Sequence, residues 1–152
     1  MDENLKLHWR EDPATCGWYI SYLYRQGSVQ MAAQLRDIDL SPAQSIVLVG
    51  IYRNEGINQR TLAQAISMAP GVVSRILREL EDRRLVEKRR DEENRRNYML
   101  YLTEEGERRT EGSLAIQGQY WNGLLQVLTP EEAGTLSWLL RKVKEKALAD
   151  SE

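Results

Sequence analysis

Between Asn58 and Leu102 the chain twice repeats apolar residues at helical spacing and then switches to the alternating spacing of strands, an order that few folds accommodate. Asn58 is placed to cap a short helix, Gln59 to Ile66, with Leu62 and Ile66 facing inward. After the tripeptide Ser67–Ala69, Pro70 opens a second helix whose Val73, Ile76, Leu77 and Leu80 fall at i, i+3, i+4 and i+7. Two short helices joined by three residues make a helix-turn-helix. Leu85 to Arg89 and Tyr98 to Leu102 then read as strands on either side of the polar turn Asp91 to Asn94, a hairpin with a charged tip. The expectation is a winged helix-turn-helix.

The net charge of −2 speaks against a nucleic-acid binder of the ordinary basic kind. Its distribution does not. Between Asn58 and Leu102 ten Lys or Arg stand against seven Asp or Glu, a local balance of +3 that leaves −5 for the flanks. Positive charge is therefore gathered where the helix-turn-helix and hairpin fall, and where phosphates would be met.

The flanks read as helices. Ile20, Leu23, Tyr24, Met31 and Leu35 recur at near-helical spacing from Cys16 to Leu35, with Gly17 and Gly27 as weak points. Ser41 followed by Pro42 opens a second helix, whose run Ile46, Val47, Leu48, Val49 and Ile51 implies burial on most sides. Thr103 caps a long helix reaching about Leu128. Thr129-Pro130-Glu131-Glu132 is a capping box before a last helix striped by Leu136, Leu139, Leu140 and Val143. The fold class is thus mainly α with a small β-hairpin wing. One compact domain accommodates 152 residues, as does a small domain with the helices that pair it with a second copy.

Several functions are disfavoured. A single cysteine, Cys16, and a single histidine, His8, provide neither a disulfide nor the roughly four ligands of a structural zinc site. No phosphate-binding glycine loop is present, and Cys16 with His8 is a poor nucleophile and base pair, so no enzyme, metal or cofactor is expected. No apolar run approaches the roughly 20 residues of a membrane span, and MDENLKLHWRED lacks the apolar stretch of a signal peptide. These features place the protein in the cytoplasm with no membrane partner.

The expected partner is double-stranded DNA. A helix fits the major groove, where base edges carry a distinct donor and acceptor pattern, so the polar face of the second helix is the reading surface. That face carries Ser74, Arg75, Arg78 and Glu79 with Val72 beside them. Arg75 and Arg78 suit guanine edges or phosphates, Val72 a thymine methyl, and Ser74 a base or phosphate. In the wing, Arg89, Arg90, Arg95 and Arg96 flank the turn, and an extended arginine fits the narrow, electronegative minor groove. A solvated charge run partly neutralised by Asp91, Glu92 and Glu93 is the plainer alternative.

From about Gly17 onward the sequence resembles the MarR family of bacterial transcription regulators. The most specific match is Asn94-Arg95-Arg96 followed by Leu102-Thr103-Glu104-Glu105-Gly106, where the family has Asp-x-Arg and Leu-Thr-x-x-Gly at this spacing. Leu40-Ser41-Pro42-Ala43-Gln44 and Leu62-Ala63 also follow its pattern. The resemblance implies a single unit over residues 1–152. Dimerisation helices at 16–40 and 107–152 would hold a homodimer on a near-palindromic site, with a winged DNA-binding lobe at 41–106. Large apolar residues on the terminal helices, including Trp18, Tyr19, Tyr22, Trp121, Trp138 and Leu139, agree with this pairing; intrachain core accounts for some of them.

Three departures stand out. Asn94 replaces the wing aspartate that braces the arginine, so Arg96 loses an ionic partner. Gly71 and Val72 replace small polar residues early in the recognition helix. Arg84 replaces the glycine after that helix, where a left-handed non-glycine residue costs about 1 kcal/mol, so a different helix end is expected.

The resemblance also implies repression relieved by a small, aromatic or anionic effector. Trp18, Tyr22 and Arg25, on adjacent turns of the first helix, offer stacking surface plus a cation; packing at a dimer interface is the plainer reading. Two alternatives remain open. Peroxide-responsive members keep a reactive cysteine in the first helix near Cys16, though Cys16 is one residue off that position and Ser41 to Gln44 lacks the partnering tyrosine. A winged domain used only for protein contacts is the other.

Overall fold

A computed structural model of the chain describes residues 12–90 and 97–150. Its elements are α1 (Pro13–Asp37), α2 (Pro42–Tyr52), β1 (Ile57–Asn58), α3 (Gln59–Ala65), α4 (Pro70–Asp82), β2 (Val86–Arg90), β3 (Tyr98–Leu102), α5 (Glu104–Leu125) and α6 (Pro130–Ala149). All but one of these helices begin on a side chain that accepts a first-turn N–H: Asp12, Ser41, Asn58, Thr103 and Thr129. Each satisfies a donor that the helix cannot, worth about 1 kcal/mol. The exception is α4, whose N-cap is Ala69 and whose start is set by Pro70.

The stops follow one rule. Asp39, Ser67 and Arg84 all take a left-handed conformation, with φ of 56°, 52° and 56°. In each case the next N–H reaches back across the last turn: Leu40 to Leu35 at 2.8 Å, Met68 to Ala63 at 3.0 Å, Leu85 to Leu80 at 2.9 Å. These are Schellman ends, and each directs an apolar residue inward. Arg84 therefore does not change how α4 ends, contrary to the sequence expectation. Burying Leu85, worth about 1.5 to 3 kcal/mol, outweighs a left-handed strain of about 1 to 2 kcal/mol. The Arg84 carbonyl is also held by the Thr103 hydroxyl at 2.7 Å.

The core sits in the lobe between Leu40 and Leu100. Val47, Leu48 and Ile51 of α2, Leu62 of α3, and Val73, Ile76, Leu77 and Leu80 of α4 are buried together with Leu85, Val86 and Leu100. Ile46 and Val49 are only half-buried, so α2 shows one side outward rather than being enclosed. The sheet runs in the order β1-β3-β2, antiparallel throughout, with Lys88 opposite Leu100 and Arg90 opposite Tyr98. Other boundaries shift slightly. The first helix begins at Pro13 rather than Cys16, because Asp12 and Pro13 repeat the cap-and-proline signature of Ser41 and Pro42. The long helix ends at Leu125 rather than Leu128, and Leu85 belongs to the helix stop rather than to the strand.

Helix α5 leaves the lobe through a tight junction. A Cβ placed on Gly106 would lie 2.0 Å from the Leu85 carbonyl oxygen, and the Thr103 N–H donates to that same oxygen at 3.2 Å. The glycine of Leu-Thr-x-x-Gly is thus a steric requirement of α5 crossing the α4–β2 corner, and its threonine bonds across that corner to the Arg84 carbonyl. Glu105 bonds Arg109 and Arg108, which hold its carboxyl below the ordinary carboxylate value, while Arg109 also donates to the Ile38 carbonyl at the end of α1. Leu35 of α1 is buried, but much of the apolar surface of α1 and α6 is uncovered. No residue of α6 is buried, and Tyr22, Trp138 and Val143 are 44%, 54% and 62% exposed.

Two substitutions should move stability in opposite directions. Gly106→Ala must displace a carbonyl and should cost about 1 to 3 kcal/mol, whereas Arg84→Gly relieves left-handed strain and should add about 0.5 to 1 kcal/mol. Urea unfolding measures both; a neutral Gly106→Ala contradicts the close approach, and a destabilising Arg84→Gly contradicts the strain.

Candidate nucleic-acid interface

The buried stripe of α4 determines what its other side can present. With Val73, Ile76, Leu77 and Leu80 inward, helical spacing turns Gly71, Arg75, Arg78 and Asp82 directly outward, all exposed. Val72, 40% exposed, and Glu79 fall on the flank beside α2; Ser74 and Glu81, both half-buried, fall on the flank beside the hairpin. Arg75 Nη1 lies 3.5 Å from Glu79 Oε1.

Each flank is tied down by a carboxylate. On the hairpin side, Lys88 Nζ sits 2.6 Å from Glu81 Oε1, a buried oxygen with no other partner among the described residues. On the α2 side, Gln44 Nε2 donates to Glu79 Oε2 at 3.1 Å. Helix α4 is thereby tied to both neighbours.

The pleat sorts the wing residues. Lys88 and Arg90 share a face with Tyr98 and Leu100, whereas Glu87 and Arg89 share the other with Tyr101 and Met99. Lys88 and Tyr98 line an open cleft of about 810 Å³ against α3, together with Gln59, Arg60, Thr61 and Asn97. Among the described residues the lining has two basic side chains, Arg60 and the Glu81-paired Lys88, and no carboxylate, which favours an anion. Arg90 lies 5.9 Å from the Tyr98 ring at its edge. Arg89 lies on the opposite face, bonded to Glu87 and 4.2 Å over the Tyr101 ring, so it is already occupied.

The structure therefore turns Arg75 and Arg78 outward, with Val72 on one flank of α4 and half-buried Ser74 on the other, and puts Arg90 on the face of the hairpin that carries Lys88 and Tyr98. It does not bring Arg89 there. Asn94, Arg95 and Arg96 lie outside the described residues, as does His8. Sequence reasoning missed Gln59, Arg60, Thr61, Lys88, Asn97 and Tyr98. The alternation of β2, which puts Lys88 with Arg90, was the available signal; the approach of α3 was not.

Away from the lobe, Trp18 stacks on Tyr22 with centroids 5.3 Å apart and an interplanar angle of 18°, and Arg25 is exposed one turn further along α1. Cys16 is an exposed free thiol in the fourth position of α1. Among the described residues no three His, Cys, Asp or Glu converge as a metal site, and no helix is long and apolar enough to cross a membrane.

Known proteins share this arrangement. Residues 38–97 match the model of the MarR family. Over 120 residues the chain is 32% identical to an uncharacterized HTH-type transcriptional regulator of Bacillus subtilis, YybA, spanning 78% of this chain and 79% of that protein. The crystal structure of a MarR transcriptional regulator from Methanosarcina mazei Go1 superposes with a TM-score of 0.80 at 27% identity, over 90% of this chain and 98% of that one. A cysteine-to-serine mutant of MarR from E. coli, complexed with operator DNA, superposes with a TM-score of 0.70 at 27% identity, over 84% of this chain and 91% of that one.

Mounting of the wing on α4 can be measured directly. Lys88→Met strands a buried carboxylate oxygen and should cost about 1 to 3 kcal/mol, and adding Glu81→Leu should restore much of the loss. Losses that simply add in denaturation experiments would show that the pair does not couple the two elements.

Proposed function

Because this chain belongs to the MarR family of transcription regulators, we propose that it works as a homodimeric repressor that reads a near-palindromic duplex operator and is released from it by a small effector. The observation that carries the reading is the outer face of α4, with Arg75 and Arg78 exposed over a fully buried stripe. Each α4 enters a major groove, with Arg75 and Arg78 at guanine edges and Val72 and Ser74 beside them. The cleft between α3 and the wing seats the phosphate backbone through Arg60, beside a Lys88 whose charge is met by Glu81, and the wing, with Arg90, Arg95 and Arg96, follows the minor groove. The protein acts by binding rather than by catalysis.

Two copies account for surface that one copy leaves open. The apolar faces of α1 and α6 leave Tyr19, Tyr22, Trp138, Leu139 and Val143 exposed, the kind of surface that a second copy covers. Pairing through them would place the two α4 helices at successive major grooves, about 34 Å apart. An effector that favours another spacing by about 1 to 3 kcal/mol weakens operator binding five- to 150-fold. The Trp18–Tyr22 stack with Arg25 is the seat assigned to it, suited to an aromatic carboxylate.

Selection of bound fragments from random duplex DNA should return a two-fold symmetric motif. Arg75→Ala and Arg78→Ala should each cost about 1 to 3 kcal/mol on it and relax one base position, whereas Arg60→Ala should weaken all sequences alike and lower the salt slope by about 1. No enriched motif, or equal losses on every sequence for Arg75→Ala, contradicts the reading. For the effector seat, Trp18→Ala combined with Arg25→Ala should abolish release by aromatic carboxylates from a dimer that still binds its operator; undiminished release would remove the assignment.

A further inference from the structure

Gln44 has its amide orientation fixed from two sides. Its Oε1 accepts from the Ser41 N–H at 3.1 Å and from Arg83 Nη1 at 3.2 Å. Arg83 is itself anchored on the α1–α2 corner, donating through Nη2 to the Asp39 carboxylate at 2.7 Å and to the Asp39 carbonyl at 2.5 Å. With the oxygen side committed to donors, Nε2 must face the opposite way, and there it donates to Glu79 Oε2. One oxygen of Glu79 is thus held, and the other lies beside Arg75 Nη1 at 3.5 Å. The chain of contacts runs Asp39, Arg83, Gln44, Glu79, Arg75, from the end of α1 to the outer face of α4.

We propose that Glu79 is a specificity-determining positioning residue, which holds the Arg75 guanidinium toward the base edges before DNA arrives. The proposal rests on the reading above that Arg75 meets bases. Two effects of opposite sign follow from one carboxylate. A negative charge on the flank of the reading face repels phosphates of any sequence, so Glu79 weakens binding to all DNA alike. A guanidinium already restrained loses less rotamer freedom on docking, a gain realised only where the right base is present. The repulsion acts on correct and incorrect DNA alike and cancels from their ratio, whereas the restraint widens the gap between them, which is what specificity measures. The contact with Gln44 gives the α1–α2 corner a hold on that orientation.

The test compares the full-length protein on its selected duplex and on a scrambled duplex of the same composition. Glu79→Gln is close to isosteric; it should tighten binding to scrambled DNA while the ratio of the two affinities falls about three- to tenfold for each half-site. Gln44→Leu, which releases Glu79 without changing charge, should lower the ratio and leave scrambled-DNA affinity unchanged, once thermal unfolding has shown it folded. In an Arg75→Ala background Glu79→Gln should no longer change the ratio. A ratio unchanged or raised by Glu79→Gln, or a fall of equal size in the Arg75→Ala background, overturns the positioning role while leaving DNA reading intact. A wild-type protein that does not distinguish the two duplexes overturns both.

Discussion

Everything the outer face of α4 presents depends on the burial of its inner face. Val73, Ile76, Leu77 and Leu80 have almost no exposed surface, and they share one core with residues of α2, α3 and the two hairpin strands. Burial of four such side chains is worth about 6 to 12 kcal/mol against leaving them in water, far more than any surface contact of the helix. Rotation of α4 about its axis is accordingly closed off. Three left-handed stops, at Asp39, Ser67 and Arg84, bring Leu40, Met68 and Leu85 to the same core and give the connections their shortness.

Charge is then arranged on a platform that cannot turn. Two of the carboxylates on α4 are engaged, Glu81 with Lys88 and Glu79 with Gln44 and Arg75, which lowers the negative charge an acidic chain presents beside Arg75 and Arg78. Among the described residues the lining of the cleft under the wing has Arg60 and Lys88 and no carboxylate. Net charge describes long-range attraction poorly when a single segment faces the partner. The terminal helices carry the opposite problem, too much apolar surface for one copy, and the homodimer proposed here answers it.

Much of this was legible in the sequence, and the parts that were not share a cause. Caps at Ser41, Asn58, Thr103 and Thr129 and the stripe of α4 are local patterns, fixed within four residues or one helical period, and all were read correctly. Strand β1 has two residues, Ile57 and Asn58, too few for any period to show; only its partners Leu100 and Met99 reveal it. The cleft that unites Gln59 and Arg60 with Lys88 and Tyr98, and the bond from Gln44 to Glu79 across 35 positions, are products of packing. Arg84 shows the converse. Its local preference was read correctly and lost to the burial of its neighbour Leu85.

The central claim is that Arg75 and Arg78 of paired α4 helices meet base edges in two successive major grooves. Methylation of guanine N7 blocks an arginine there without touching the phosphates, so interference by such methylation on the selected duplex tests the claim most directly. Two clusters of interfering guanines, about one helical turn apart, with one position lost from each in Arg75→Ala, is the predicted result. Binding indifferent to guanine N7 methylation, or a single cluster unaffected by Arg75→Ala and Arg78→Ala, would contradict it.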